Sequence, residues 1–155
     1  MSDLKILITG GLGYLGGRIA DSLKRNHPES IIILGTSREI SEVPDWAKDF
    51  QIVLLNILDR ASIEKAVSND IHVIIHLAAL NEHDSFDNIE SAWDTNTLGT
   101  EALLAAASQK QILKFIISIS GWFWDVFGMV LGCFWDGFGM LLGCFWDAFG
   151  IVLGS

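Results

Sequence analysis

The chain has 155 residues, the length of one domain rather than two, so a core can form but a complete two-domain enzyme is not expected. Half of the residues are apolar and 19% are charged, which excludes disorder throughout. Ten Lys and Arg stand against nineteen Asp and Glu, a net charge of −9, so no nucleic-acid partner is expected from a chain without the basic excess that phosphate backbones require.

The opening MSDLKILITG has no basic segment followed by a long apolar one. No secretory signal is therefore expected, and a cytoplasmic location is. KILITG (5–10) is a short apolar run ending in glycine and predicts a buried strand. Residues 13–25 have helical spacing, with Leu15, Ile19 and Leu23 inward and Arg18, Asp21, Lys24 and Arg25 outward. Asn26-His27-Pro28 ends that helix. IIILG (31–35) predicts a second strand, and the polar stretch 36–49, broken by Pro44, a loop with a short helix. FQIVLL (50–55) predicts a third strand and Ala61–Val67 a short helix with Asp59 near its N-cap. IHVIIHLAA (71–79) reads as a fourth strand running into a loop, 87–108 as one long helix, and KFIISIS (114–120) as a fifth strand. Strands alternating with helices imply parallel pairing through right-handed crossovers. The expected fold is α/β: a Rossmann-type parallel sheet in the order 3-2-1-4-5, ending after strand five.

At Gly121 the composition breaks. Residues 1–120 hold every Lys, Arg, His and Pro, with a net charge of −6. Residues 121–155 hold four of the six Trp and six of the nine Phe, in three near-identical units of eleven residues: FWDVFGMVLGC, FWDGFGMLLGC and FWDAFGIVLGS. Known solenoid units run to about 20 residues or more, so this period does not fit them. Two parts are expected: 1–120, a nucleotide-binding domain, and 121–155, an apolar repeat tail. Cys133 and Cys144 both lie in the tail, with neither CxxC nor metal-ligand spacing. Neither a disulfide framework nor a metal site is expected from them.

Thr9-Gly10-Gly11-Leu12-Gly13-Tyr14-Leu15-Gly16 lies directly after the first strand and opens the first helix. Gly10 permits a tight turn, Gly13 lets backbone N–H groups approach a pyrophosphate, and Gly16 allows close packing of helix and strand. The helix start offers unpaired donors and the positive end of its dipole to the anion. This loop resembles the TGxxGxxG loop of extended short-chain dehydrogenase/reductases, the NAD-dependent epimerase/dehydratase family. Further matches follow in order. Asn56-Ile57 stands where the family has Asp-Ile or Asp-Leu beside the adenine. His76-Leu77-Ala78-Ala79 resembles its HLAA, whose backbone lines the cofactor. Asn96-Thr97-Leu98-Gly99-Thr100 is similar to its NxxGT motif. Phe115 to Ser120 resembles the strand leading to its catalytic serine or threonine, with Ser120 at that position.

The resemblance covers residues 4–120 and implies NAD or NADP bound by Gly10, Gly13, Tyr14, Leu15, Gly16, Arg38, Asn56, Ile57, Leu77, Ala78, Ala79 and Asn96. It implies a nucleotide sugar or related compound as substrate. Where NAD-preferring members carry an acid at the end of strand two, this chain has Gly35, with Arg38 nearby. Loss of the carboxylate removes repulsion toward a 2′-phosphate and tips the expectation toward NADP. His76 is expected to be a packed, hydrogen-bonded histidine, and His83, Asp84 and Asp87 a solvated loop. The family's Tyr and Lys, four residues apart after strand five, have no counterpart. The one tyrosine is Tyr14 and the last lysine is Lys114. Ser120 is thus a catalytic candidate without partners, and turnover by this chain is not expected. A frameshift, a truncated gene or a faulty gene model would each produce the boundary at Gly121.

Asp125, Asp136 and Asp147 recur every eleven residues of the tail. No tail stretch exceeds ten residues without a carboxylate, against the about 20 apolar residues of a spanning helix. Eight glycines also weaken any helix there. Three readings stay open: a tail without function, one that packs on the domain or mediates self-association or partner binding, and one that contacts a membrane surface. The second opens an alternative for the whole chain, a catalytically dead interaction module.

Overall fold

The structure, a computed structural model, describes residues 4–37, 43–80, 85, 87–110 and 112–117. Arg38, Ser120, His83, Asp84 and the whole repeat tail lie outside the described residues. In chain order the elements are β1 (Lys5–Thr9), α1 (Tyr14–Asn26), β2 (Ile31–Thr36), a 3-10 turn (Asp45–Ala47), β3 (Gln51–Leu54), α2 (Arg60–Ala66), β4 (Val73–His76), α3 (Ile89–Trp93), a π-helical turn (Asp94–Leu98), α4 (Gly99–Ser108) and β5 (Lys114–Ile117). The five strands form one parallel sheet in the order β3-β2-β1-β4-β5, the order expected from the sequence.

The strands are apolar along nearly their whole length because both faces of the sheet are covered. Alternate side chains feed two separate clusters. Leu7, Ile33 and Ile74 pack with Ile63 and Val67 of the α2 segment and Leu103 and Ala107 of α4. Ile6, Ile8, Ile32, Leu34 and Ile75 pack on the other face with Ala20, Ile19 and Leu23 of α1. In-register pairing aligns Thr9 with Gly35 and with His76, and Thr36 with Leu54. The C-terminal ends of β1 to β4 therefore share one rim, where ligands bind in sheets of this kind.

Two local expectations are corrected. The inward stripe of α1 is Gly16, Ala20 and Leu23, with Ile19 flanking it, whereas Leu15 is exposed. The stripe begins on a glycine, which hydropathy patterning does not register as a contact. The stretch 87–108 is not one regular helix, since an i to i+5 turn spans Asp94–Leu98 and Gly99 N–H donates to Asp94 C=O. β4 spans Val73–His76 and then runs into the loop at Leu77, as expected. Asp59 does cap α2, accepting from Ala61 N–H, and Asn88 caps α3, accepting from Ser91 N–H. Among the described residues no helix is long and apolar enough to cross a membrane.

Candidate functional site

Gly10 has φ +66°, a backbone conformation that costs most other residues, and it turns the chain out of β1. A Cβ there would also lie 3.0 Å from Ala78 N, so the glycine loop touches the loop after β4. Gly11 N–H donates to Gly35 C=O at 3.0 Å, tying the loop to the end of β2. A Cβ on Gly16 would meet Gly10 O at 2.5 Å and Gly11 Cα at 2.7 Å, so α1 starts in direct backbone contact with the loop. Gly13 is the N-cap, with no side chain capping the helix, and its carbonyl accepts the first helical bond from Gly17. The N–H groups of Tyr14, Leu15 and Gly16 thus have no intrahelical acceptor, and they sit at the positive end of the dipole. Tyr14 is 82% exposed and Leu15 48%, so this helix end opens to solvent. Arg18 adds a cation one turn in, donating to Tyr14 Oη at 3.2 Å and lying 5.5 Å from its ring centre. These glycines form a cradle of closely approaching backbone that has no room for side chains, and the donor set at the helix start fits a pyrophosphate.

The wall beside the cradle is the loop Leu77–Leu80, pinned at both ends. Thr9 Oγ1 accepts from Leu77 N–H and Ala78 N–H, each at 3.1 Å. Asn96 holds the far end: its Oδ1 accepts from Leu80 N–H at 2.8 Å and its Nδ2 donates to Leu80 C=O at 3.3 Å. The π-helical turn carries Asn96, and such turns recur at functional sites. Ala79 is exposed between the pinned residues.

His76 lies behind this wall, 3% exposed, with Nδ1 2.6 Å from Thr9 Oγ1 and Nε2 2.9 Å from Thr100 Oγ1. Burial pulls its pKa down from 6.5 to about 4, so the ring is neutral at neutral pH. It is the packed, hydrogen-bonded histidine expected. Thr9 and Thr100, 1% and 8% exposed, are site residues that the sequence reading missed. The available signals were a threonine directly before the loop glycines and the i, i+4 spacing of Asn96 and Thr100.

On the other side, Asn56 is exposed and its Oδ1 accepts from Leu58 N–H at 3.0 Å, closing an Asx turn after β3. Its acceptor therefore already serves the backbone. Ile57 turns inward: it is 5% exposed, and a Cβ on Gly99 would lie 3.0 Å from its Cδ1. Gly35 is backbone-only at the rim, and the space over it is taken by Leu55, whose Cδ2 would lie 2.9 Å from an added Cβ. Gly10, Gly13, Tyr14, Leu15, Gly16, Leu77, Ala78, Ala79, Asn56 and Asn96 thus gather at the shared rim, while Ile57 points into the core. Among the described residues no three His, Cys, Asp or Glu groups gather as a metal site.

The model of the NAD dependent epimerase/dehydratase family matches residues 6–125. The chain belongs to that family. A putative UDP-glucose 4-epimerase of Methanocaldococcus jannaschii is 34% identical over 121 residues, covering 75% of this chain and 38% of its own length. The UDP-glucose 4-epimerase of Thermotoga maritima, solved with UDP-glucose, superposes with TM-score 0.67 at 26% identity, over 76% of this chain and 38% of its own. The L-threonine dehydrogenase of Clostridium difficile superposes with TM-score 0.65 at 28% identity, over 76% of this chain and 36% of its own. The chain therefore spans less than two-fifths of the length of these relatives.

Proposed function

We propose that this chain binds NAD or NADP through the cradle at Gly10–Gly16, as the dinucleotide-binding part of a protein whose substrate is a nucleotide sugar or a related compound. The observation that carries the reading is the uncapped start of α1 against the glycine cradle, beside the loop Leu77–Leu80 at the β1/β4 rim. The backbone N–H groups of residues 14–16 hold the pyrophosphate, Arg18 adds positive charge, and Ala78 and Ala79 line the neighbouring wall. When bound, the nicotinamide supplies a hydride acceptor and donor. NADP is the better fit, because Gly35 has no carboxylate and Leu55 occupies the space where one would stand. Arg38 is proposed as the partner of the 2′-phosphate.

By itself the chain does not turn over nucleotide sugars, since no Tyr-x-x-x-Lys pair stands in it and Ser120 lacks proton-transfer partners. Calorimetric titration of the full chain with NAD and with NADP tests the binding reading, and incubation with UDP-glucose tests the inactivity. Tighter NADP binding that weakens in Arg38→Ala supports the reading. A folded chain that binds neither cofactor defeats it, and hydride transfer lost in Ser120→Ala defeats the inactivity. The composition of 121–155 favours a second reading, a catalytically dead module that associates through its tail.

A further inference from the structure

The hydroxyl of Thr9 already accepts two backbone N–H groups, so its own hydrogen has one acceptor within reach, His76 Nδ1 at 2.6 Å. With Nδ1 accepting, the ring proton of neutral His76 sits on Nε2 and is donated to Thr100 Oγ1 at 2.9 Å. Thr100 passes its hydrogen on to Asn96 C=O at 2.8 Å. All hydrogens in the chain point one way, from Thr9 through His76 and Thr100 to Asn96. The two ends of this relay are the two residues that pin the loop Leu77–Leu80: Thr9 holds Leu77 and Ala78, and Asn96 holds Leu80. Among the described residues no buried side-chain N or O lacks a partner, so the relay has no slack.

We propose that His76, fixed as its Nε2–H tautomer between Thr9 and Thr100, is a positioning residue that holds the loop Leu77–Leu80 against the phosphate cradle and thereby sets dinucleotide affinity. The ring spans the gap between the two hydroxyls, accepting on one side and donating on the other. Protonation of Nδ1 would set a second hydrogen against that of Thr9, and an Nδ1–H tautomer would leave Thr100 without its donor. The ring meets no charged partner among the described residues: Thr9 and Thr100 flank it, and the Phe115 ring lies 6.1 Å away. Protonation thus gains nothing to offset its burial.

The affinity arm rests on the dinucleotide reading, and the tautomer arm does not. Long-range proton–nitrogen NMR on the full chain, labelled at histidine, should show His76 with an unprotonated Nδ1 and a protonated Nε2. Amide exchange should show Leu77 and Ala78 protected. Thr100→Val leaves Nε2–H unaccepted and should weaken NADP binding by the folded chain roughly tenfold and speed exchange at Ala78, whose N–H has the Thr9 hydroxyl as acceptor, while Thr100→Ser restores both. A purely structural role would lower the melting temperature and leave the affinity of the folded fraction unchanged. A proton on Nδ1 of the unmutated chain, or a folded Thr100→Val with unchanged affinity and unchanged exchange, overturns the proposal. If Thr100→Val does not fold, the tautomer of the unmutated chain decides. If the unmutated chain binds neither cofactor, the dinucleotide reading fails and the affinity role with it, whatever the tautomer.

Discussion

Replacing Gly16 by alanine sets two effects of known sign against each other. Ala is better than Gly inside a helix by about 1 kcal/mol, so propensity alone predicts a gain. The structure puts the new Cβ at 2.5 Å from Gly10 O, 2.7 Å from Gly11 Cα and 2.8 Å from Gly11 O. All three are backbone atoms of the glycine loop, so no rotamer change relieves the contact and the helix and loop must separate by most of an ångström. Overpacking of this kind costs about 1–3 kcal/mol, and three simultaneous backbone contacts put it at the upper end. The clash therefore wins, and Gly16→Ala should be destabilised by about 1–2 kcal/mol net. Gly17→Ala is the control: the three atoms nearest its Cβ all belong to the ring of Trp46, the nearest at 3.0 Å, and that residue is 46% exposed and can yield. Gly17→Ala should be neutral or slightly stabilised. Urea unfolding followed by far-ultraviolet circular dichroism measures both, and titration with NADP should show affinity lost in Gly16→Ala alone. Equal stability and equal affinity in the two variants would refute the assignment of Gly16 as the contact between α1 and the loop.

Burial holds the folded-state pKa of His76 near 4 against 6.5 in the unfolded chain, so the unfolded chain takes up the proton first on acidification. Its contribution is fully present above pH 6.5 and falls by about 3 kcal/mol as pH drops through that window; urea midpoints on either side should show the slope, and His76→Gln should flatten it. Asp59→Ala removes the side-chain acceptor for Ala61 N–H and should cost about 1 kcal/mol in urea unfolding, with Asp59→Ser recovering most of it. Residues 121–155 carry ten Trp and Phe and no positive charge, and burying one large side chain is worth about 1.5–3 kcal/mol, so the tail should be sequestered. Light scattering of the full chain and of a chain ending at residue 120 should differ in association state; a monomeric full chain whose tail tryptophans are freely quenched by iodide would refute this.

The sheet order was legible because each strand is a short apolar run bounded by turn residues, and alternation of such runs with helices leaves few topologies. The cradle was legible because its glycines fall at a strand–helix junction, where their spacing has a mechanical meaning. Hydrogen bonds made at long sequence separation were not legible. Asn96 bonds Leu80, sixteen residues away, through a π-helical turn that hydropathy spacing does not mark. Thr9 and Thr100 carry generic hydroxyls whose role appears only when β1, β4 and α4 are brought together. The burial of the Ile57 side chain against Gly99 was likewise not legible, because the turn after β3 carries no hydropathy period.

The relatives divide at a point that the geometry explains. An epimerase and a threonine dehydrogenase share this part of the fold, although their names specify different chemistry on different compounds. The cradle is made of backbone: a turn at Gly10, a close approach at Gly16 and N–H groups at the start of α1, all within one strand–helix junction. Backbone donors recognise what every dinucleotide has in common, its pyrophosphate, and carry no information about the second substrate. Selectivity has to come from side chains at the ends of other strands. On the reading proposed above, those at the adenosine end are Gly35, Leu55 and Arg38. Grafting a carboxylate at position 35 together with a smaller residue at 55 should therefore move cofactor preference toward NAD without changing the pyrophosphate cradle. Gly35→Asp alone should destabilise the chain, because the new Cβ would lie 2.9 Å from Leu55 Cδ2 in a residue only 3% exposed. Comparative titration of the single and double variants with NAD and NADP tests both statements. A single variant as stable as the parent would show that Leu55 does not hold that space.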